Sequence, residues 1–136
     1  MYLKMIKRRT ISVFGALALL FVLSACGSQK EEDAIEYQQI SAEEAKKIMD
    51  SGEEYILLDV RSEEEFAEKH IPGAVLIPHT EIADRAEEEL PDKEKNILVY
   101  CRSGNRSKIA AQVLADLGYT GVSEFGGISL WPYETE

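Results

Sequence analysis

The sequence predicts an α/β domain in which helices cover both faces of a central parallel sheet. Two continuous apolar runs, residues 55–60 (YILLDV) and 96–100 (NILVY), have the length and composition of strands buried on both faces. Helical segments alternate with these runs and short joints connect them, as in strand-helix-strand folds. The 136 residues are enough for one domain, and a hydrophobic content of 45% is enough for its core.

Two helices in the first half carry capping signals. Ser41 and Glu44 have the spacing of a capping box, and the helix that follows them ends near Gly52. Residues 62–65 (SEEE) repeat this spacing and predict a short helix around Phe66. A brief apolar stretch at 75–77 (VLI) predicts another strand between the two longest ones.

The second half continues the alternation. Residues 80–90 predict a charged surface helix, and residues 121–125 predict a last strand. Residues 107–117 predict an amphipathic helix, with Gly118 as its C-cap. The residues of this helix that are expected to face the core are Ile109, Val113, Leu114 and Leu117.

The first 25 residues are predicted to be an export signal. Basic residues up to Arg9 precede an apolar stretch at 11–23, and small residues follow it. An uncleaved membrane-spanning helix is the alternative, but the stretch is shorter than the roughly 18 to 20 residues that cross the hydrocarbon. The four residues LSAC at 23–26 resemble the lipobox of bacterial lipoproteins. This resemblance implies that the chain is cleaved before Cys26, which then carries acyl chains such as palmitate.

The predicted organisation therefore has three parts. Residues 1–25 form the lipoprotein signal peptide, residues 26–39 form a lipidated N-terminus with an acidic tether, and residues 40–136 form the folded domain. Two or more acyl chains suffice for stable anchoring. We therefore expect an exported protein, held on a membrane by lipid and facing outside the cytoplasm.

The charge of the chain excludes two classes of partner. The net charge is −10, and the first 25 residues contain basic residues but no acidic one, so the remainder is more acidic still. Such a balance disfavours binding to nucleic acid and electrostatic binding to anionic lipid.

One cysteine remains for chemistry. The chain has two cysteines, and if Cys26 carries lipid then Cys101 is unpaired. A lone cysteine is often only a small buried apolar residue. Here, however, Cys101 lies where a predicted strand ends and a helix begins, and the dipole of a helix N-terminus favours a thiolate. Gly104 allows the backbone amides of the loop to point inward around an anion.

The charged residues of this loop have two interpretations. Arg102 and Arg106 either add positive charge around the same pocket or are ordinary solvated side chains. In the first case the loop forms a cradle for a sulfur anion and an anionic substrate.

Four segments in order resemble the rhodanese-domain sulfurtransferases, in their single-domain form. These segments are LDVR (58–61), HIPGA (70–74), CRSGNRS (101–107) and GGISLW (126–131). The resemblance implies a rhodanese-like α/β fold and a thiosulfate sulfurtransferase in which Cys101 is the catalytic nucleophile. It also implies that the loop residues bind the substrate, namely Arg102, Ser103, Gly104, Asn105 and Arg106. Asp59 and Arg61 would support the loop.

The implied reaction transfers sulfane sulfur in two steps. Cys101 takes sulfur from a small anion such as thiosulfate and becomes a persulfide, which then passes the sulfur to cyanide, a thiol or a protein thiol. No metal or organic cofactor is expected, because His70 and His79 lack partner ligands at useful spacing. His70 is expected to belong to a turn instead.

Three alternatives are weighed against this interpretation. Phosphatases and arsenate reductases on the same fold have five residues between cysteine and arginine, whereas only four separate Cys101 from Arg106. A thiol-disulfide oxidoreductase normally needs a resolving cysteine, which the chain lacks if Cys26 is lipidated. A non-catalytic rhodanese-like binding or sensor module at the cell surface stays open, because an exported thiolate is exposed to oxidation.

Overall fold

The computed structural model describes residues 34–136, which contain a five-stranded parallel sheet. The strands are β1 Gln38–Gln39, β2 Tyr55–Asp59, β3 Val75–Leu76, β4 Asn96–Cys101 and β5 Val122–Gly127. The helices are α1 Ala42–Asp50, α2 Glu63–Glu68, α3 Ile82–Glu89 and α4 Asn105–Asp116, followed after β5 by a 3-10 helix, Ile128–Leu130. The sheet order is β1-β5-β4-β2-β3, and every neighbouring pair is parallel. The predicted fold class is therefore confirmed.

The side chains of the central strand β4 alternate between the two faces of the sheet. Ile97, Val99 and Cys101 belong to one apolar cluster, together with buried residues of α3 and α4. Leu98 and Tyr100 belong to a second cluster, together with Ala45 of α1 and residues near Trp131. Because side chains alternate along a strand, the continuous apolar run supplies both clusters at once. Cys101 thus lies on the side that α4 covers.

Both predicted capping boxes are confirmed. In α1 and in α2, the N-cap serine accepts a hydrogen bond from the backbone N–H three residues later, and the glutamate there accepts one from the N-cap backbone N–H. Each box satisfies two N–H groups that would lack a partner in the first turn. The helix starts are therefore fixed by short sequence signals.

The prediction for the inward face of α4 is wrong at one position. Ile109 is 55% exposed, whereas Leu114 is buried and Val113 and Leu117 are partly buried against the core. The buried face of α4 consists mainly of small residues: Ser107, Ala110, Ala111, Leu114 and Ala115. Small side chains allow the helix to lie close to the sheet. The face of α4 that contacts the sheet is therefore rotated away from the face that its large apolar residues predict.

The boundary of the folded domain also needs correction. Gln38 and Gln39, placed in the tether by the sequence analysis, pair with Ser123 and Glu124 of β5 as the edge strand β1. Tyr37 packs against the core as well. A two-residue polar edge strand has no apolar alternation to reveal it.

The predicted signal peptide and Cys26 lie outside the described residues. Within residues 34–136, no helix is both long and apolar enough to span a membrane.

Candidate active site

Cys101 lies at the carboxyl end of β4, beneath the loop that leads into α4. Ligands of open parallel sheets bind at this end of the strands. Only 1% of the Cys101 surface is exposed, and its Sγ atom accepts a hydrogen bond of 3.0 Å from the backbone N–H of Gly104. Gly104 is the N-cap of α4 and has a φ angle of 102°, a conformation that side chains other than that of glycine rarely adopt. The turn at Gly104 therefore aims its N–H at the sulfur.

The loop favours the ionised form of the thiol. Burial opposes ionisation, but hydrogen bonds from the Ser107 hydroxyl and from the backbone N–H groups of Ser107, Gly104 and Ser103 outweigh it. Together they hold the pKa of Cys101 below its ordinary value. The thiolate is the nucleophilic form of cysteine, so the Ser107 hydroxyl and the loop backbone together activate this residue.

A hydroxyl and a buried carboxylate lie behind the thiol. The Ser107 Oγ atom is 3.4 Å from Cys101 Sγ and 2.6 Å from Glu124 Oε1. Glu124 is on β5, is 2% exposed, and also accepts a hydrogen bond of 2.7 Å from the backbone N–H of Gly126. The sequence analysis did not single out Glu124. Its signal was available, since it is the one charged residue in the predicted strand 121–125, where burial of a charge requires partners.

The two arginines of the loop have different surroundings. Arg106 forms a two-pronged ion pair with Glu65 of α2, with N···O distances of 2.7 and 2.9 Å. This ion pair lowers the pKa of Glu65 to about 2, with further lowering by hydrogen bonds from Ser62 and against the opposing effect of burial. The Arg102 side chain is 70% exposed, with Nε 3.7 Å from Glu65. The charge of Arg106 is thus already paired, and Arg102 is the more accessible cation.

Asp59 and Arg61 form a buried ion pair at the end of β2. The Arg61 guanidinium contacts both carboxylate oxygens of Asp59 at 2.7 to 3.0 Å. The Arg61 backbone N–H also donates to Asp59, at 2.9 Å, and Arg61 Nη2 donates to the Lys69 carbonyl at 2.6 Å. The pair therefore ties the end of β2 to the residue that follows α2.

The remaining loop residues are fixed through the backbone. The side chains of Ser103 and Asn105 are at the surface. The carbonyl of Arg102 accepts hydrogen bonds from the Ser129 backbone N–H, at 3.1 Å, and from its hydroxyl, at 2.7 Å. A methyl group at Gly127 would lie 2.0 Å from the Arg102 carbonyl oxygen, so only glycine permits this approach. The loop is held against the end of β5 by these contacts.

A cavity of about 370 Å³ lies beside the loop. Its walls are Arg61, Glu65, Glu68, Lys69, Arg102, Ile128 and Ser129. A second cavity of about 520 Å³, between α1 and the C-terminal residues, is lined by Lys46, Trp131 and Tyr133 among others. No residue of the loop from Cys101 to Ser107 is among its walls, whereas Arg102 of this loop lines the first cavity. We therefore place the candidate site at the loop.

Neither His70 nor His79 is among the walls of the cavity beside the loop. The ring of His70 stacks on Phe66, and its Nδ1 atom is 2.9 Å from the Phe66 carbonyl oxygen. In the part of the chain that the structure describes, no three His, Cys, Asp or Glu residues are grouped so that they could hold a metal ion.

Comparison with known proteins identifies the family. A model of the rhodanese-like domain matches residues 41–133. The chain belongs to the rhodanese-like domain family. The rhodanese segments found in the sequence, including the Cys101 loop, all lie within the matched range. The likeness to this family that the sequence suggested is thereby confirmed.

Individual relatives carry sulfur-related names. The thiosulfate sulfurtransferase PspE of Escherichia coli is 38% identical over 71 residues, which cover 52% of this chain and 68% of PspE. The putative sulfur carrier protein YrkF of Bacillus subtilis is 38% identical over 111 residues, or 81% of this chain, but the chain spans only 59% of YrkF. The structure of the human single-domain sulfurtransferase TSTD1 superimposes with a TM-score of 0.60 at 32% identity, covering 68% of this chain and 92% of TSTD1.

Proposed function

We propose that this protein transfers sulfane sulfur from a donor such as thiosulfate to a thiophilic acceptor through a persulfide on Cys101. The observation that carries the proposal is the geometry at Sγ, where backbone N–H groups and a hydroxyl converge on one buried sulfur and lower its pKa. Relatives named as sulfurtransferases support the same general activity. Arg102 is proposed to attract the anionic donor, because its side chain is exposed beside the loop.

The first step makes the persulfide. The Cys101 thiolate attacks the outer sulfur of thiosulfate, the bond between the two donor sulfurs breaks, and sulfite leaves with the electron pair of that bond. The negative charge then resides on the outer persulfide sulfur. Backbone N–H groups of the loop stabilise charge at this position without having to reorganise.

The second step returns the thiolate. A nucleophile such as cyanide or a thiolate attacks the outer sulfur, and Cys101 Sγ leaves as the thiolate. The same N–H groups that lower the pKa of Cys101 make Sγ a good leaving group. One loop therefore assists both steps.

The test measures the donor step directly. The full chain carrying Cys26→Ser, in which Cys101 is the remaining cysteine, is incubated with thiosulfate and examined by intact-mass and peptide mass spectrometry. We expect one added sulfur on the peptide that contains Cys101 and none in the matched Cys101→Ser variant. No added sulfur from thiosulfate or other sulfane donors, with the fold intact, would overturn the proposal.

A sulfur-carrying role is the second candidate function, and the name of YrkF supports it. Both roles begin with a Cys101 persulfide, so the acceptor step separates them. Release of thiocyanate over many cycles with cyanide indicates an enzyme. A stable persulfide that only a particular protein thiol discharges indicates a carrier or sensor module.

We also propose that the mature protein is a lipoprotein outside the cytoplasm, anchored by acyl chains on Cys26. The lipobox-like segment at 23–26 supports this proposal. Expression of the full chain in a bacterium with radiolabelled palmitate tests it, with Cys26→Ser as control. Label in the wild type alone is expected, and equal absence of label from both proteins would contradict the anchor.

A further inference from the structure

One hydroxyl hydrogen lies between two buried groups that can each carry a negative charge. Ser107 Oγ is 2.6 Å from Glu124 Oε1 on one side and 3.4 Å from Cys101 Sγ on the other. Cys101 is 1% exposed and Glu124 is 2% exposed, so water satisfies neither group. The three residues come from β4, α4 and β5.

The carbonyl oxygens of Gly104 and Gly126 also lie 3.0 and 3.3 Å from Ser107 Oγ, and the single hydrogen of Ser107 cannot serve all of these groups. When it is donated to the Glu124 carboxylate, the serine oxygen faces the sulfur as an acceptor, an arrangement that suits the protonated thiol. When the Ser107 hydrogen is donated to a thiolate, the backbone N–H of Gly126 is the one donor left of the two that Glu124 Oε1 has in the structure. Two charged groups would then be buried with one hydrogen between them, which is strongly unfavourable.

We infer that Glu124 takes up the thiol proton through Ser107, so that Cys101 and Glu124 share one proton. This inference rests on the proposed function of Cys101 as the nucleophile. The Cys101 proton passes to Ser107 Oγ while the proton of Ser107 passes to the Glu124 carboxylate. The products are a thiolate, an unchanged serine and a carboxylic acid, so the charge of the group is the same before and after. Glu124 is thus a positioning residue that acts through Ser107.

The surroundings favour the negative charge on the sulfur. Backbone N–H groups of Ser103, Gly104 and Ser107 stabilise the thiolate, whereas Gly126 is the backbone donor to Glu124. A protonated Glu124 also donates to Ser107 and turns the serine hydroxyl toward the sulfur. Proton transfer therefore adds a hydrogen bond to the thiolate and moves the single buried charge from Glu124 to the sulfur.

The other charged groups around the pair are largely paired with each other. Asp59 and Arg61 at the end of β2 form one ion pair, and Glu65 of α2 and Arg106 of α4 form another. Arg102 is exposed. The described part of β1 next to β5 contributes two glutamines, which carry no charge. Glu124 is thus the buried carboxylate that hydrogen bonds connect to the sulfur.

Formation of the persulfide deprotonates Glu124. The negative charge leaves Sγ for the outer sulfur, so Ser107 again donates to Glu124, and the carboxylic acid gives its proton to the departing sulfite or to water. Blocking Sγ by alkylation has the same effect. The protonation of Glu124 thus reports on the state of Cys101.

The test uses the full chain carrying Cys26→Ser at neutral pH, before and after treatment with iodoacetamide. Infrared difference spectroscopy detects a protonated carboxyl group, and ultraviolet absorbance detects the thiolate. We expect a carboxyl band that disappears together with the thiolate absorbance on alkylation, and no such band in Glu124→Gln. Neither measurement needs a sulfur donor, so this test and the persulfide test can fail separately.

The pH titration of the thiolate gives a second readout. In Glu124→Gln the amide oxygen keeps the Ser107 hydrogen, so we expect the thiolate to form about one pH unit higher than in the wild type. If Glu124 is a permanently ionised structural group, removal of its charge would instead let the thiolate form at lower pH. That result, or a carboxyl band that does not respond to alkylation, would overturn the inference.

A third variant keeps the inference testable if Glu124→Gln does not fold. Ser107→Ala removes the connection between the two groups while leaving both in place. We expect any carboxyl band in this variant to be independent of alkylation. A band that still disappears as in the wild type would show that Ser107 does not connect them, and would contradict the proposed route.

Discussion

Two helices of this domain begin with the same four-residue motif but have different connections. α1 begins with Ser41 and Glu44, and α2 begins with Ser62 and Glu65. In both, serine and glutamate exchange hydrogen bonds of 2.7 to 3.2 Å. Considered locally, the two helix starts are nearly interchangeable.

The difference lies in what the glutamate contacts beyond its own helix. Glu44 is at the surface, and its pKa is lowered mainly by the backbone N–H of Ser41. Glu65 also binds Arg106, which is 41 positions away in the sequence, and this ion pair is the main cause of its much lower pKa. The second capping box therefore connects α2 to the loop that contains Cys101.

The comparison teaches that a local motif can have a long-range function without any change in its sequence. A capping box needs only one carboxylate oxygen for the N-cap N–H, so the other oxygen is free for a second partner. In Glu65 that oxygen, Oε1, accepts a hydrogen bond of 2.9 Å from Arg106, and the capping oxygen Oε2 accepts a second one of 2.7 Å from the same guanidinium.

The largest difference is expected between Glu65→Gln and its matched control Glu44→Gln. Glu65→Gln leaves the partly buried Arg106 guanidinium without its counter-ion, and we expect the free energy of unfolding to fall by about 1–3 kcal/mol. Persulfide formation should slow several-fold, because the start of α4 is held less firmly. Glu44→Gln should leave that rate unchanged. Urea unfolding and mass spectrometry measure both effects, and equal rates in the two variants would mean that the ion pair does not support the loop.

Acid should weaken the capping box of α2 when Glu65 is protonated. The pKa of Glu65 is about 2 in the folded protein and 4.5 as the reference value. A lowered folded-state pKa stabilises the fold above the unfolded-state pKa, and this contribution is lost as the pH falls from about 4.5 toward 2. The stability difference between wild type and Glu65→Gln should therefore shrink across this range in urea unfolding experiments. A difference that stays constant down to the lower limit would contradict the assigned pKa.

The smallest difference is expected between Ser41→Ala and Ser62→Ala. Each loses one capping hydroxyl, and we expect each to lower the free energy of unfolding by about 1 kcal/mol. Neither should slow persulfide formation, because Arg106 still holds Glu65 in the second variant. If Ser62→Ala slows the reaction as much as Glu65→Gln, then the cap rather than the ion pair positions Glu65.

Local signals made most of the fold predictable. Strands β2 and β4 are continuous apolar runs, and the serine-glutamate spacing marks the starts of α1 and α2. The strand β1 was missed because its two glutamines are exposed and show no apolar pattern. Ile109 was placed in the core because large apolar residues usually mark the inward face, whereas α4 packs through its alanines.

The site could be predicted only in part for a related reason. The loop from Cys101 to Ser107 is contiguous, so its turn and its N–H groups follow from neighbouring residues. The partners of this loop are distant in sequence: Glu65 reaches Arg106, and Glu124 reaches Ser107. No spacing rule connects such residues, because the register of the sheet and the packing of α2 bring them together.

The pairing of β1 with β5 has a consequence for how the chain folds. Gln38 lies beside Ser123, so the first and last strands of the domain are neighbours. Pairing of residues so far apart requires closure of nearly the whole folded domain, a loss of entropy that slows folding. A ribosome must therefore release almost the entire domain before the sheet can be completed, and until then β1 and one edge of β4 lack their partner strand β5 and are open to chaperones and other strands.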